Sequence, residues 1–250
     1  MIRFLPILLT FLTLSCGLDD VPLIHPIPQS HIRQDMNNRS VVSIPTDNAD
    51  TTFSHFVIYY KIFVSNTDQP STASSAAYSA INPILASDHN AVSPHIDSTT
   101  SVNVNMESFF SGRDYHQLHV QGPDMQAINI STILSSSVLG STIEFDFPSR
   151  TIPNVTIDST VYTLWRSNGN GQFDPRPNRL FINSDDLWTP GNINAEINRD
   201  VVNLQGIGAN DRRYVYVAMY IVGAGINVAT YSFIYSTPSL IHVFQLPDRW

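Results

Sequence analysis

The chain has 250 residues, of which 42% are hydrophobic and 10% aromatic, and 21 acidic against 13 basic side chains leave a formal net charge of −8. This composition excludes a disordered chain, and the length suffices for a sizeable core in one large or two small domains. A net negative charge without a Lys/Arg run argues against nucleic-acid binding. The single cysteine, Cys16, excludes an intrachain disulfide and a cysteine-rich zinc site.

The choice of residues within each class favours strands and loops over helices. Asp outnumbers Glu by 18 to 3, and the chain has 28 Ser, 20 Asn and 16 Pro. Ser, Asn and Asp compete with the helical backbone for hydrogen bonds, and proline cannot continue a helix interior. We therefore expect a mainly β protein with long loops.

Residues 1–15 have the layout of a secretory signal peptide. Arg3 supplies a positive charge, and an apolar stretch of about eleven residues follows over 4–14. Its end, Leu12-Thr13-Leu14-Ser15-Cys16, resembles the lipobox of bacterial lipoproteins, including the looser boxes of spirochaetes. The resemblance implies cleavage between Ser15 and Cys16, a diacylglyceryl group on the Cys16 sulfur and a fatty acid such as palmitate on its amine. An ordinary secretory signal is the alternative.

Residues 16–39 are predicted to be the lipidated N-terminus and a flexible tether, because Pro22, Pro26 and Pro28 favour extended backbone and no hydrophobic period persists. Gly17 stands where an Asp retains many bacterial lipoproteins at the inner membrane, which favours the outer membrane or the cell surface. The chain has no stretch of 18 apolar residues that predicts a spanning helix. Residues 40–250 are expected to form a single domain.

Strands are predicted from two patterns in this domain. Residues 56–64 and 214–222 are apolar on both faces, as in central strands. Alternation with period two predicts half-buried strands at 102–106, 143–147 and 229–235. Shorter candidates lie at 41–44, 117–121, 161–166, 178–183, 201–204 and 239–246.

Helices are expected to be few and short. Five alanines lie within residues 71–86, with Tyr78, Ile81 and Leu85 at helical spacing. Because Pro83 disfavours helical backbone in the preceding residue, this helix is expected to end near Asn82. Residues 129–139 predict either a second short helix or a loop.

Several segments resemble a group of treponemal-type spirochaete lipoproteins of unknown function. Those segments are Cys16-Gly17-Leu18-Asp19, Phe53-x-x-Phe56-x-Ile58-Tyr59-Tyr60-Lys61-Ile62-Phe63, the Tyr-rich strand at 214–222, Tyr235-Ser236-Thr237-Pro238, the apolar strand and Leu-Pro at 240–247, and Leu164-Trp165-Arg166-Ser167 through Gly171-Gln172-Phe173 to Arg179-Leu180-Phe181. The strands at 59–63, 214–221 and 231–244 also resemble those of immunoglobulin and fibronectin type III-like β-sandwiches. The resemblance implies such a sandwich with a large insertion at about 66–210.

Residues that could bind metal are present without a complete ligand set. His116 and His119 would point to opposite faces of the strand predicted at 117–121. Asn168, Asn170 and Asp174 have the alternating oxygens of a calcium loop, but the Asn-Gly repeats there also predict a turn. No metal or other cofactor is expected, and Trp165 is more typical of a buried anchor than of a sugar platform.

No nucleophile, zinc-protease or phosphate-binding motif is present. We therefore expect a membrane-anchored envelope lipoprotein that binds a protein or glycan partner without catalysis. A hydrolase, for example one acting on glycans, with an unrecognised site is the first alternative, and a structural envelope component is the second. A pocket with three or more charged or His side chains would favour the enzyme, whereas an exposed apolar patch would favour binding.

Overall fold

The computed structural model describes residues 23–35, 38–49, 52–65, 76–91, 101–102, 104–123, 126–148, 153–166, 201–203 and 214–245. Within these ranges the chain forms thirteen strands and two α-helices, which confirms the mainly β class. The strands are β1 (Ile32–Asp35), β2 (Arg39–Ser43), β3 (Phe53–Ser65), β4 (Ser101–Val102), β5 (His116–Gln121), β6 (Ala127–Asn129), β7 (Thr142–Asp146), β8 (Asn154–Ile157), β9 (Thr160–Arg166), β10 (Val201–Asn203), β11 (Tyr214–Asn227), β12 (Ser232–Ser236) and β13 (Ser239–Gln245). The helices are α1 (Ala76–Asn90) and α2 (Met106–Ser111).

The two segments predicted to be central strands form the centre of the sheet as β3 and β11. They pair antiparallel along almost their whole length, from Tyr214 opposite Ser65 to Gly225 opposite Phe53. On its other edge, β11 pairs with β13 along its first half and with β12 along its second. The other edge of β3 pairs with β5 and, in parallel, with β10. Both strands therefore have neighbours on both sides, as expected for segments that are apolar on both faces.

The strands belong to one continuous, curled sheet. Its order is β1-β2-β7-β8-β9-β5-β3-β11-β12-β4, with β13, β10 and β6 attached to β11, β3 and β5. The curl brings β13 opposite β1 and β2, where Gln34 Nε2 and Ser40 Oγ both donate to the Ile241 carbonyl, at 3.0 Å and 3.3 Å. Side chains of β1 and β2 thus donate hydrogen bonds to the backbone of β13, and we call this line of contact between β1, β2 and β13 the seam.

Asn38, at the turn between β1 and β2, fastens one end of this seam. Its Nδ2 donates to the carbonyls of Gln245 and Phe147, the latter at 2.9 Å, and its Oδ1 accepts from the Gln245 N–H at 2.9 Å. The residue has φ of 63°, a left-handed conformation that Asn tolerates better than most residues. One side chain therefore holds the turn, the end of β7 and the end of β13 together.

The faces of the sheet bury two separate hydrophobic clusters. The inner cluster fills the curl and contains alternate residues of β3 and β11, such as Ile58 and Met219, together with residues from β2, β7, β8 and β13. At its centre the rings of Phe147 and Phe244 stack with centroids 4.0 Å apart. The helix-side cluster lies on the opposite face, where α1 and α2 cover Tyr59 and Tyr220.

Helix α1 runs past Pro83, so the expected end near Asn82 is wrong. Ile81 and Leu85 are spaced four residues apart and both are buried in the helix-side cluster. Anchors on both sides of the proline keep the segment helical, although Pro83 supplies no N–H to the helix ladder.

The strand predicted for 102–106 is confirmed only at Val102, and a helix begins at the last of these residues, Met106. Only Ser101 and Val102 pair with β12, because the Asn105 side chain accepts from the Ser108 N–H at 3.1 Å and starts α2 at Met106. The alternation of Met106 with its neighbours was therefore misleading, since Met106 is buried from the first turn of a helix. Residues 129–139 contain the last residue of β6 and two short 3-10 helices, Ile130–Thr132 and Ser136–Val138.

The N-terminal segment enters the fold earlier than the tether predicted for 16–39 allows. Ile24, Ile27 and Ile32 are buried in the inner cluster, and β1 pairs with β2. The His25 backbone N–H and carbonyl both bond to the Asn48 side chain, at 2.7 Å and 2.8 Å. Pro28 does lie in extended backbone, with φ of −60° and ψ of 143°, but the segment around it packs on the sheet, and the described chain is part of the folded domain from Ile24 onward.

Most other predicted strands are confirmed, with ends that differ by at most three residues except at β11, which continues five residues beyond 222 to Asn227. They correspond to β2, β3, β5, β7, β9, β10, β11 and β13. The strand at 229–235 begins only at Ser232, and the strand predicted for 178–183 lies outside the described residues.

We predict that Asn38→Ala lowers the free energy of unfolding by about 2–4 kcal/mol, because buried carbonyls lose their donors and Ala disfavours the left-handed conformation. Urea unfolding measures the change. Asn38→Gly serves as the matched variant, since it loses the same hydrogen bonds without the backbone cost, and should lose about 1 kcal/mol less. An unchanged unfolding midpoint in Asn38→Ala would contradict the seam described above.

Candidate binding surface

The hairpin of β11 and β12 extends beyond the part of the sheet that the helices cover. Ala224 lies opposite Tyr235 and Ile226 opposite Phe233, and residues 228–231 form the turn. Asn227 organises this turn: its Oδ1 accepts from the N–H groups of Ala229 (2.9 Å) and Thr230 (3.3 Å). Its carbonyl accepts from the Tyr231 N–H at 2.7 Å. The strand expected to start at Ala229 is replaced by this turn, in which Tyr231 has φ of 55°.

Four large apolar side chains are exposed at the end of this hairpin, and we call them the hairpin tip. They are Ile226, Val228, Tyr231 and Phe233, with 42%, 63%, 86% and 62% of their surface exposed. In the described part of the chain, the only other large hydrophobic residue with comparable exposure is Val161, at 64%. A cluster of four such residues at one place is unusual for a surface without a binding role.

The tip continues the apolar face of the helix-side cluster. Alternate residues of β11 up to Ala224, and Tyr235 of β12, belong to that cluster. Ile226 and Phe233 lie next along the same face, and the Phe233 ring stacks on Tyr235 with centroids 6.4 Å apart. The apolar pattern of the two strands therefore extends past the helices that cover it.

Charge is absent from the whole surrounding segment. Residues 214–245 contain no Asp, Glu, Lys or Arg, although the chain as a whole has a net charge of −8. The tip therefore offers apolar and hydroxyl groups for contact but no charge for an ion pair.

Separate from the hairpin tip, a group of polar and charged residues lies buried between α1 and the sheet. Lys61, the only lysine of the chain, is 6% exposed on β3, and its Nζ donates to the Arg113 carbonyl at 2.8 Å. It also lies 3.8 Å from Asp88 Oδ2 of α1, which accepts a hydrogen bond from the Tyr115 hydroxyl at 2.9 Å. The ammonium sits 4.8 Å from the Tyr115 ring centroid. These contacts fasten α1 and the turn after α2 to the sheet.

Burial shifts the pKa values of this group in the direction that disfavours the charged form of each side chain. It lowers the pKa of Lys61, against the opposing effect of Asp88, and it raises the pKa of Tyr115, with Tyr220 and Asp88 adding to that rise. Tyr220 donates to the Leu85 carbonyl at 3.4 Å, and its pKa is also raised by burial. Each polar group here has a partner inside the protein, which indicates a structural role. The sequence analysis did not identify this group: the available signal was that Lys61 is the only charged residue in the apolar segment 56–64, and no pattern in the sequence indicated Asp88 as its partner.

The histidines considered as ligands do not converge. His116 and His119 lie on β5, where their spacing directs them to opposite faces, as predicted. Burial lowers the pKa of His119 and of His242 to about 4. His242 packs edge-on against Phe244, with ring centroids 4.8 Å apart. Among the residues that the structure describes, no group of three or more His, Cys, Asp and Glu could hold a metal ion.

The remaining predicted site residues have varied outcomes. Trp165 is buried in the inner cluster, as expected for an anchor. Ser15 and Cys16, and the weak calcium candidates Asn168, Asn170 and Asp174, lie outside the described residues. No helix in the described ranges is long and apolar enough to cross a membrane.

Comparisons with known proteins add no relative. The chain matches no protein-family model, no curated protein and no solved structure.

We predict that the tip contributes little to folding. Tyr231→Ser and Phe233→Ser should each change the free energy of unfolding by less than about 0.5–1 kcal/mol, because their side chains are already in water. As a matched control, Phe110→Ala in α2 removes a buried ring and should cost about 3–5 kcal/mol. Urea unfolding compares them; a large loss at both tip positions would assign the tip a structural role.

We also predict that acid weakens the fold between pH 6.5 and pH 4. The pKa values of His119 and His242 are about 4 in the folded protein, below the ordinary 6.5, so the unfolded chain binds more protons in this window. Their stabilising effect is complete above pH 6.5 and declines as the pH falls toward 4. His242→Gln should flatten the pH dependence of the urea midpoint, whereas His89→Gln, at the exposed end of α1, should not.

Proposed function

We propose that this protein is a lipid-anchored bacterial envelope protein that binds a partner without catalysing a reaction. Two separate features support the two parts of the proposal. The position of Cys16 supports the anchor, and the hairpin tip supports binding.

The anchor rests on the sequence around the only cysteine. Cys16 follows Ser15 at the end of a signal-like apolar stretch, where a lipoprotein signal peptidase would cleave. Two or three acyl chains at about 0.8 kcal/mol per buried CH₂ would hold the protein stably in a bilayer. Because Gly17 rather than Asp follows the cysteine, the proposed location is the outer membrane or the cell surface.

The single observation that carries the binding role is the uncharged, exposed hairpin tip. Exposure of four large apolar side chains lowers solubility, and they are not needed to fill a core, so their presence is explained by contact with another surface. In the described part of the chain, the cluster of charges that comes closest to a catalytic group is the one at Lys61. Its members are buried and bonded to one another, which makes the hydrolase alternative the weaker proposal.

The finer fold assignment also belongs to this proposal. We propose that the sheet derives from an immunoglobulin or fibronectin type III-like sandwich. The inner cluster supports this, since it is enclosed between β2, β7 and β8 on one side and β3, β11 and β13 on the other. Partners such as a host protein, a glycan or an envelope component would then meet the hairpin end of the domain.

The anchor is tested by expressing the full chain and Cys16→Ser in a bacterium that processes lipoproteins. The natural chain should fractionate with membranes and begin at an acylated Cys16 by mass spectrometry, whereas Cys16→Ser should keep the signal peptide. Thr13→Leu, which brings the box closer to its commonest form, is the matched variant and should still be acylated. A mature chain that begins at Cys16 without added lipid would refute the anchor.

Surface display is tested by adding protease to intact cells. Digestion of the natural chain would support exposure to outside partners. Protection until the outer membrane is breached would instead favour a structural or binding role inside the envelope.

A further inference from the structure

The described N-terminal segment runs along β11 toward the hairpin tip when it is followed back toward Cys16. Asn38 bonds to Gln245, which pairs with Tyr216 at the start of β11. Farther back along the segment, the Ile27 carbonyl accepts from Ser239 Oγ at 2.7 Å, and Ser239 pairs with Ile221.

Ile24 lies at the base of the hairpin itself. A Cβ placed on Gly223 or Gly225 would fall within 2.6 Å or 2.8 Å of Ile24 side-chain atoms. The Ile24 side chain therefore lies directly against the β11 backbone, and at Gly225 the Thr52 carbonyl, which would overlap such a Cβ, also excludes a side chain. The described chain consequently lies, at Ile24, at the end of the domain that carries the tip.

The length of that connection keeps this end close to the anchor. Cys16 and Ile24 are 24 − 16 = 8 residues apart, which spans at most about 29 Å when fully extended. The hairpin continues for 228 − 225 = 3 residues beyond Gly225, or about 10 Å. The tip can therefore reach the bilayer that holds Cys16, whereas the opposite end of the domain lies farther from it.

The chemistry of the tip suits the boundary between lipid headgroups and acyl chains. Tyr231 combines an apolar ring with a hydroxyl that tolerates a wet interface, and Phe233 supplies a purely apolar ring that can be buried beneath it. The absence of charge from 214 to 245 removes both the cost of desolvating an ion and repulsion from anionic lipids.

The backbone N–H groups of the turn also have hydrogen-bond partners within the hairpin, which suits an apolar medium. Asn227 satisfies the N–H groups of three successive residues, Ala229, Thr230 and Tyr231, and the hydroxyls of Thr230 and Ser232 bond to each other at 2.6 Å. Backbone groups that are already bonded cost less to transfer out of water.

We propose that the hairpin tip inserts into the surface of the membrane to which Cys16 is anchored, and so fixes the orientation of the domain on the bilayer. This inference rests on the proposed lipid anchor. Of the partner classes proposed above, the lipid bilayer, an envelope component, is favoured over a protein or a glycan because the anchor connection and the tip lie at the same end of the domain.

The test uses the mature, acylated protein reconstituted into phosphatidylcholine vesicles. Because acylation blocks the only natural cysteine, Val228→Cys introduces a single reactive thiol at the tip, which is labelled with an environment-sensitive fluorophore. Val161→Cys, at an exposed valine of β9, is the matched control. Emission and quenching by spin-labelled lipids are measured for both, and thermal unfolding of each confirms that it is folded.

Lipid quenching at position 228, with a blue-shifted emission and neither effect at position 161, is the expected result. Adding Phe233→Ser to Val228→Cys should weaken the insertion about tenfold or more, since burying one such ring contributes about 1.5–3 kcal/mol. If the label at 228 stays in water as the one at 161 does, the inference is overturned and the tip is assigned to a protein or glycan partner. A reactive thiol in the unsubstituted protein would overturn the anchor itself, a result independent of the signal at 228.

Discussion

The antiparallel pairing of β3 with β11 is the interaction on which the rest of the structure depends. The two longest strands of the described chain run side by side for twelve paired positions. Four strands, β5, β10, β12 and β13, pair directly with one of them, and the remaining strands are connected to this pair through β5 or β12. Because successive side chains point to opposite faces, this one pair contributes to both hydrophobic clusters. The inner cluster takes Ile58 and Met219, and the helix-side cluster takes Tyr59 and Tyr220.

That arrangement explains why a polar group is buried beside the helices. Lys61 occupies a position of β3 whose side chain faces α1, where an apolar residue would have sufficed for packing. A buried ammonium is costly unless it has partners, and here the Arg113 carbonyl, the Asp88 carboxylate and the Tyr115 ring provide them. These specific contacts fix the positions of α1 and of the turn after α2 on a sheet face that is otherwise covered by aromatic side chains.

The same pair explains the hairpin tip. β11 is long enough to pass beyond the area that α1 and α2 cover, and β12 follows it, so the apolar alternation continues into solvent at Ile226 and Phe233. The N-terminal segment packs on the other face of the same strand, through Ile24 against Gly223 and Gly225. A single strand therefore connects the proposed anchor, the core and the proposed contact surface.

Local sequence patterns predicted those strands whose burial is already evident from the hydrophobic pattern of a few neighbouring residues. β3 and β11 were recognisable because each is apolar on both faces over nine predicted residues, and β7 because its alternation matches one buried face.

Prediction failed where contacts made elsewhere in the fold outweigh local preference. Pro83 was expected to end a helix, but Ile81 and Leu85 pack on the sheet on both sides of it. Met106 alternates like a strand residue, but the Asn105 side chain caps a helix that begins at Met106. The prolines near the N-terminus suggested a tether, yet Ile24 and Ile27 are buried in the inner cluster, and Ile24 lies against Gly223 and Gly225, about two hundred residues later in the chain.

By itself, the sequence determined the mainly β class, the two central strands and the position of the only cysteine behind a signal-like segment, because each depends on residues that are neighbours along the chain. Only the tertiary structure decided that Lys61 is bonded inside the fold, that Asn38 closes the seam between β2 and β13, and that four apolar side chains meet in water at one hairpin. These features depend on which residues the curl of the sheet brings together and which it leaves uncovered. Periodicity along the chain contains no information about either, because burial is decided by partners that are far away in the sequence.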